Sequence, residues 1–435
     1  MLTLFGGVGS ASLISNAGLR KCLSPQQQRL ALASHTAQIL QSHRPCNEAH
    51  SVQAAAHRVP PLPVSFGSLQ QPTGDPVGDS ARSALCKAMS SDGFALVRLG
   101  ESEQRAILGH ASTAMGFFEL SPTEQASVAG PLTEAPYSDY HLGQSRSVGC
   151  TELQRGVTVL DCRLTRSLSD SCPERSSSVL PAGLLASDPT GAALVKALVP
   201  AQSVLLDVAC ASLAAVVSSL CLDPQALEAI GDVTALIDRD IKVGATSATV
   251  SRHAYYPASR GDETDRISFK AHTDSTFFTL IPCAAVAGLE VLDASNAWNC
   301  PEADALAAGS VPGSLVAVLP GEFVHLLSDG TFHAALHRVV MPSCGQPRVS
   351  IPLLVRASTA SGYHGYALDH SLRGAVYAAK GAWEAAGCGG ETPILSSLDR
   401  AAEAKAVHDA AIKRAMAVEA QLQADTAPIQ PSTSH

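Results

Sequence analysis

The sequence predicts an α+β fold with a sandwich or jelly roll of short strands in its middle. Three observations predict it. Helical spacing dominates up to about residue 222, and from about 234 short apolar runs alternate with Gly- and Pro-bearing turns. After about 360 the chain returns to helical spacing. The 435 residues suffice for one large domain or two ordinary ones, with ample core.

The elements follow in order. Residues 1–58 read as a transit peptide or disordered tail: they are rich in Ser, Ala, Leu and Gln, carry sparse Arg, and have no acid before Glu48. That composition predicts a plastid or a mitochondrion without choosing between them, and a cytoplasmic location if the segment is only a tail. Residues 59–233 read as a mainly helical region that begins with a proline-rich linker or extended lead-in over 58–80. Ala81, Leu85 and Met89 give Ser80–Ser90 helical spacing, and Asp92-Gly93 turns the chain into a strand over Phe94–Arg98. Glu101–Phe118 is a helix, and Ser121-Pro-Thr-Glu124 starts another. Residues 130–190 are polar and Ser-rich, which predicts loops and short strands. Gln202–Cys221 is an apolar helix closed by Asp223-Pro224.

Residues 234–360 form the strand-rich core. Its strands are expected at Thr246–Tyr256, Phe277–Ile281, Leu289–Leu292, Leu315–Leu319, Ala334–Met341 and Val349–Val355. Residues 361–435 form a helical extension. Ser396–Gln423 is an alanine-rich helix with Ser396 and Asp399 spaced as a capping box, and a disordered tail follows.

Charge and hydropathy exclude several classes. The net charge is −9, and four of the 30 basic residues but none of the 39 acidic ones lie in 1–47. The rest of the chain is therefore more acidic still, a poor surface for nucleic acid or anionic membrane. Mean hydropathy is +0.13, raised mostly by alanine. The longest strongly apolar uncharged run, Val208–Leu222, has 15 residues. A bilayer span needs about 20, so the run reads as a buried helix and no membrane partner is expected. The twelve cysteines are scattered without a C-x-x-C pair and read as reduced core residues.

Chemistry concentrates in three places. His272-Thr273-Asp274 would put an imidazole and a carboxylate on one face of a strand. His337 lies within Leu336-His-Arg-Val-Val340, and Arg348-Val-Ser350 follows eleven residues on. Two His and one carboxylate make a facial triad that leaves three positions of an iron ion open. A buried Arg-x-Ser pair offers a guanidinium fork and a hydroxyl to a dicarboxylate.

These residues sit in a longer run of matching motifs: Tyr255-Tyr-Pro257, Ala271-His-Thr-Asp-Ser-Thr-Phe-Phe-Thr-Leu280, Gly288-Leu-Glu-Val-Leu292 with Trp298, Val311-Pro-Gly-Ser-Leu-Val316, Gly321-Glu322, Ser328-Asp-Gly-Thr-Phe332, Leu336–Val340 and Arg348-Val-Ser-Ile-Pro352. In that order they resemble the isopenicillin N synthase-like, 2-oxoglutarate/Fe(II)-dependent dioxygenases, above all the plant-type soluble ones. The match covers about residues 246–356, with Asp92-Gly93-Phe94 fitting more loosely. The resemblance implies a double-stranded β-helix (jelly roll) core with N-terminal helices packed on it and extra C-terminal helices. It implies Fe(II) held by His272, Asp274 and His337, and 2-oxoglutarate held by Arg348 and Ser350 with Tyr256 assisting. It further implies O2 as oxidant, ascorbate as a candidate reductant, and a small-molecule substrate that is hydroxylated or desaturated while 2-oxoglutarate becomes succinate and CO2. The oligomeric state stays open.

Three departures from the family pattern stand out. Ala254 replaces the usual Asn two residues before the tyrosine, which puts one cosubstrate contact in doubt. The segment around Asn299–Ser310 is longer, which predicts an altered rim loop. The chain after 360 exceeds the usual closing helix. Two other readings stand beside the oxygenase: a non-catalytic jelly-roll relative that binds or senses, and an iron oxidase that does not use 2-oxoglutarate. Among nearby residues, His253, His325 and His333 read as structural or rim histidines and Phe277 and Phe278 as core. Tyr137 and Tyr140 are candidates for a pocket lining.

Overall fold

The computed structural model describes residues 61–129, 144–145, 158–165, 177–179, 189–220, 236–237, 246–258, 267–328, 330–340, 345–356, 409–418 and 420–421. The transit-peptide reading, Tyr137, Tyr140 and the first part of the C-terminal helix lie outside them.

The proline-rich lead-in is structured from residue 61 on. Its β1 (Val64–Ser65) pairs in parallel with β2 (Ala95–Arg98). Helix α1 (Phe66–Leu69) buries Phe66 and Leu69. The linker expectation for this part is corrected: prolines punctuated the segment, but three apolar side chains anchor it. Helix α2 (Pro76–Asp92) starts earlier than the apolar spacing suggested, because Asp75 accepts hydrogen bonds from Val77 and Gly78 N–H and Pro76 fits the first turn. It ends at Gly93, whose φ of 79° is open to glycine at little strain. Helix α3 (Glu101–Phe118) has the expected bounds. Helix α4 (Pro122–Ala129) opens on a capping box in which Ser121 and Glu124 bond each other's backbone N–H.

Among the described residues, three strands cross the serine-rich region: β3 (Gln144–Ser145), β4 (Thr158–Thr165) and β5 (Ser177–Val179). Helix α5 (Pro189–Ser219) runs through Pro200 and begins well before Gln202. The apolar stripe of Leu194, Leu198, Ala201, Leu205 and Leu213 continues across the proline, so packing outweighs the missing N–H. By length and composition α5 could cross a bilayer. In the structure its apolar stripe is buried in the main core.

The remaining strands are β6 (Thr246–Tyr256), β7 (Ile267–His272), β8 (Phe278–Pro282), β9 (Leu289–Leu292), β10 (Trp298–Asn299), β11 (Leu315–Pro320), β12 (His337–Val340), β13 (Arg348–Ser350) and β14 (Leu353–Val355). Helices α6 (Pro301–Ala307) and α7 (Glu322–Leu327) interrupt them, and a final helix, α8, covers 409–418. The expected strand Val349–Val355 is two strands, split at Ile351-Pro352.

The strands form two sheets. The larger runs β1-β2-β11-β8-β14-β6-β4-β3, with β13 also on β6 and β5 on β4; the smaller runs β10-β9-β12-β7. From β6 onward the chain passes back and forth between them, with β9–β10 staying in the small sheet and β13–β14 in the large one, which is the connectivity of a jelly roll. Period-two alternation explains the packing. On β2 and β11, Val97, Val316 and Val318 face the helices, while Leu96, Leu315, Ala317 and Leu319 meet Leu289 and Val291 of the small sheet. Strands covered on both faces read as continuous apolar runs, as β11 does. Cys86, Cys162, Cys210, Cys283 and Cys300, the described cysteines, are free thiols.

Gly321 sits where β11 hands over to α7. A Cβ there would overlap the Thr276 carbonyl oxygen. The N–H groups of Gly321, Glu322 and Phe323 donate to the carbonyls of Phe277, Asp274 and Thr276, clamping the turn that carries Asp274. Gly321→Ala is therefore expected to lower stability by more than about 2 kcal/mol, read as a drop in the urea midpoint.

Candidate metal and cosubstrate site

His272 closes β7 and His337 opens β12, and the two are paired across the small sheet. Their ring centroids are 4.3 Å apart. Asp274 is outside the strand, so the expected mechanism of one strand face is corrected. The chain leaves the small sheet after His272 to enter β8 of the large one, and the crossing turn carries the carboxylate back between the rings. Its Oδ1 is 3.6 Å from His272 Nε2 and its Oδ2 is 3.5 Å from His337 Nε2.

Each ring is fixed through its other nitrogen. His272 Nδ1 lies 2.8 Å from the Lys270 carbonyl oxygen, and His337 Nδ1 lies 3.0 Å from that of Ala335. Facing a carbonyl, Nδ1 can only donate, so Nε2 keeps its lone pair and points at Asp274. One ligand atom from each residue falls within 4.8 Å of the others, the one such group of three among the described residues. A first-row divalent ion stands about 2.0–2.2 Å from imidazole and carboxylate donors, so a small inward movement completes the set. His272 is the most open of the three and His337 the least, which places the solvent opening on the His272 side.

Asp274 is held ready as an anion. Burial pushes its carboxyl up, but His337, His272, the Thr279 hydroxyl and Arg252 outweigh burial and bring it down to about 2. Thr279 Oγ1 donates to Asp274 Oδ2 at 2.6 Å. Sequence reasoning missed Thr279, although it stands within the quoted motif. Thr279→Val keeps the shape and removes the donor, and is expected to weaken divalent-metal binding about 10–100-fold, measured by titration of the apo-protein. Thr273, between His272 and Asp274, donates to buried Glu322 at 2.8 Å, so α7 braces the same turn.

The residues expected to hold the cosubstrate lie on the large sheet. Arg348 of β13 is paired with Tyr256 of β6, and Ser350 with Ala254. Arg348 is only 1% exposed, and its guanidinium carbon lies 5.1 Å from the centre of the Tyr256 ring. Its Nη2 donates to Ser350 Oγ at 3.3 Å. Burial pushes the Tyr256 phenol up, against the pull of Arg348, so it stays a hydroxyl donor. Ala254 and Tyr256 pack with Val339 and Phe269 from the strands that bear the two histidines. Triad and guanidinium thus belong to the two facing sheets of one sandwich.

Glu302 was not foreseen. The longer segment Asn299–Ser310 is not a plain rim loop, because it folds into α6 and buries Glu302 completely. Glu302 Oε1 accepts from Arg348 Nη2 at 2.8 Å and Oε2 from Nε at 3.2 Å. Arg348 Nη1, on the far end, is buried with no hydrogen-bond partner.

Other candidates fall elsewhere. His253 bonds His110 and the Leu160 carbonyl deep in the core. The His325 and His333 rings lie 5.5 Å from each other, centre to centre, and neither belongs to the triad's ligand group. Phe277 and Phe278 are fully buried in the main core, as expected. Helix α8 packs Ala411, Ala415 and Val418 on Leu292, Leu336, Ala271 and Trp298, next to both histidines in sequence.

The family model described as the 2OG-Fe(II) oxygenase superfamily matches residues 245–357. The matched stretch, about a quarter of the chain, is similar to that superfamily and holds every residue of the triad and the Arg348 cluster. Among curated relatives, gibberellin 3-beta-dioxygenase 1 of Oryza sativa subsp. japonica is 36% identical over 95 residues, 21% of this chain and 22% of that protein. The 1-aminocyclopropane-1-carboxylate oxidase homolog 5 of Arabidopsis thaliana is 31% identical over 114 residues, 26% of each chain. The matched stretches thus span about a quarter of these relatives. Among solved structures, the dioxygenase for auxin oxidation in rice is 18% identical, with a TM-score of 0.43 over 68% of this chain and 84% of that one.

Proposed function

We propose that the chain is an Fe(II)- and 2-oxoglutarate-dependent oxygenase that hydroxylates or desaturates a small organic molecule. The observation that carries this reading is the convergence of two ring nitrogens, oriented by the backbone partners of the other nitrogens, on one ionised carboxylate. The buried, unpartnered Nη1 of Arg348 on the facing sheet supports it: such a donor is costly unless a ligand fills its place. His272, Asp274 and His337 would hold Fe(II), whose hard oxygen and imidazole donors they supply. Arg348, Ser350 and Tyr256 would hold the far carboxylate of 2-oxoglutarate. Bound together, Fe(II), 2-oxoglutarate and O2 supply the oxidising chemistry, with succinate and CO2 released.

The chain's own part is positional. The Lys270 and Ala335 carbonyls fix the rings, and Thr279 fixes the carboxylate. The names of the relatives, gibberellin dioxygenases and aminocyclopropane-carboxylate oxidase homologues, support a small organic substrate. The test is succinate formation from 2-oxoglutarate with Fe(II), O2 and a panel of small molecules. Succinate that rises with one candidate and matches its oxidised product supports the proposal. Substrate oxidation without succinate would replace it by the oxidase reading.

A further inference from the structure

We infer that Glu302 is the positioning residue for the cosubstrate anchor: it grips one edge of the Arg348 guanidinium and leaves Nη1 as the donor for the ligand. The inference rests on the reading of Arg348 as the 2-oxoglutarate anchor. An arginine side chain is long and rich in rotamers, so its donors need a fixed frame. Nε and Nη2 share one edge of the guanidinium, and Glu302 occupies that edge with both carboxylate oxygens. Glu302 is fixed in turn by backbone donors: the N–H groups of Ala284, Gly288 and Leu289 reach it at 3.3, 2.8 and 3.0 Å. The backbone before β9 therefore sets Glu302, and Glu302 sets Arg348.

Gly288 completes the frame. A Cβ there would come 2.9 Å from Arg348 Cδ and 3.1 Å from the Val340 carbonyl oxygen, so the arginine stem runs against bare backbone. With one edge taken by Glu302, the far carboxylate meets the buried, unpartnered Nη1, beside the Ser350 hydroxyl on Nη2 and the Tyr256 ring. α6, which carries Glu302, lies in the segment that departs from the family pattern, so this device belongs to this chain's own insertion.

The experiment measures 2-oxoglutarate binding by calorimetry to Mn(II)-loaded full-length protein, with Mn(II) binding titrated separately. Wild type, Glu302→Ala, Arg348→Ala and the double variant are compared. Glu302→Ala is expected to weaken 2-oxoglutarate at least about tenfold, the scale of one lost charge-assisted hydrogen bond, while Mn(II) affinity stays unchanged. Arg348→Ala and the double variant should bind equally weakly, because Glu302 acts through Arg348. If Glu302→Ala does not fold, Glu302→Asp, which keeps the charge but withdraws it by one methylene, replaces it in both backgrounds. Unchanged binding in the Glu302 variants, or an equal extra loss on top of Arg348→Ala, would overturn the inference and leave the anchor reading intact. A wild type that binds Mn(II) but not 2-oxoglutarate would overturn the anchor reading itself.

Discussion

Asp274→Ala is expected to abolish retention of Fe(II) while leaving the protein folded. Partners that merely orient a ligand are worth about 10–100-fold in metal affinity, so removing the one anionic ligand should exceed a loss of about a hundredfold. The fold should survive because the neighbours of Asp274 keep other anchors. Both rings keep their bonds to the Lys270 and Ala335 carbonyls, and the Thr279 hydroxyl keeps Thr276 at 3.3 Å. Anaerobic Fe(II) titration followed by desalting reads the metal, and thermal unfolding of the apo-protein reads the fold. Iron retained at wild-type level would remove Asp274 from the ligand set.

Arg348→Ala should have the second-largest effect, and it has two parts. It takes away Nη1 and the Nη2–Ser350 contact, so 2-oxoglutarate binding should fall about a hundredfold, within the range for truncating one member of a buried charged pair. It also strands Glu302, a fully buried carboxylate, without its cation. Removing one partner of a buried pair destabilises by about 3–5 kcal/mol, so the urea midpoint should drop together with the binding. Arg348→Lys separates the two parts. A lysine keeps the charge near Glu302 but lacks the fork, so it should recover much of the stability and little of the 2-oxoglutarate affinity. Equal recovery of both would show that charge alone, without the fork, makes the anchor.

Much of this site was legible in the sequence because its residues are bound to local patterns. His272, Asp274 and His337 lie in motifs whose order and spacing carry over from one family member to another, and Arg348 and Ser350 share a strand face by simple alternation. The geometry behind Asp274 was not legible. Alternation predicted a shared strand face, but a chain crossing between sheets does the work, and such a crossing is fixed by tertiary packing. Glu302 was out of reach for a similar reason. Its partner is 46 residues away, and a glutamate in an alanine-rich turn looks like a solvated surface residue. Helix α5 begins at Pro189 rather than at the expected Gln202, because its apolar stripe continues across Pro200. The segment 61–69 was read by its prolines, while Val64, Phe66 and Leu69 decide its place in the core.

The most direct measurement is the anaerobic absorption spectrum of the protein with Fe(II) as 2-oxoglutarate is added, run beside His337→Ala. A weak visible charge-transfer band that saturates with 2-oxoglutarate is expected in the wild type and is absent in the variant. Fe(II) bound without a band in the wild type, or a band of equal strength in His337→Ala, would contradict this expectation.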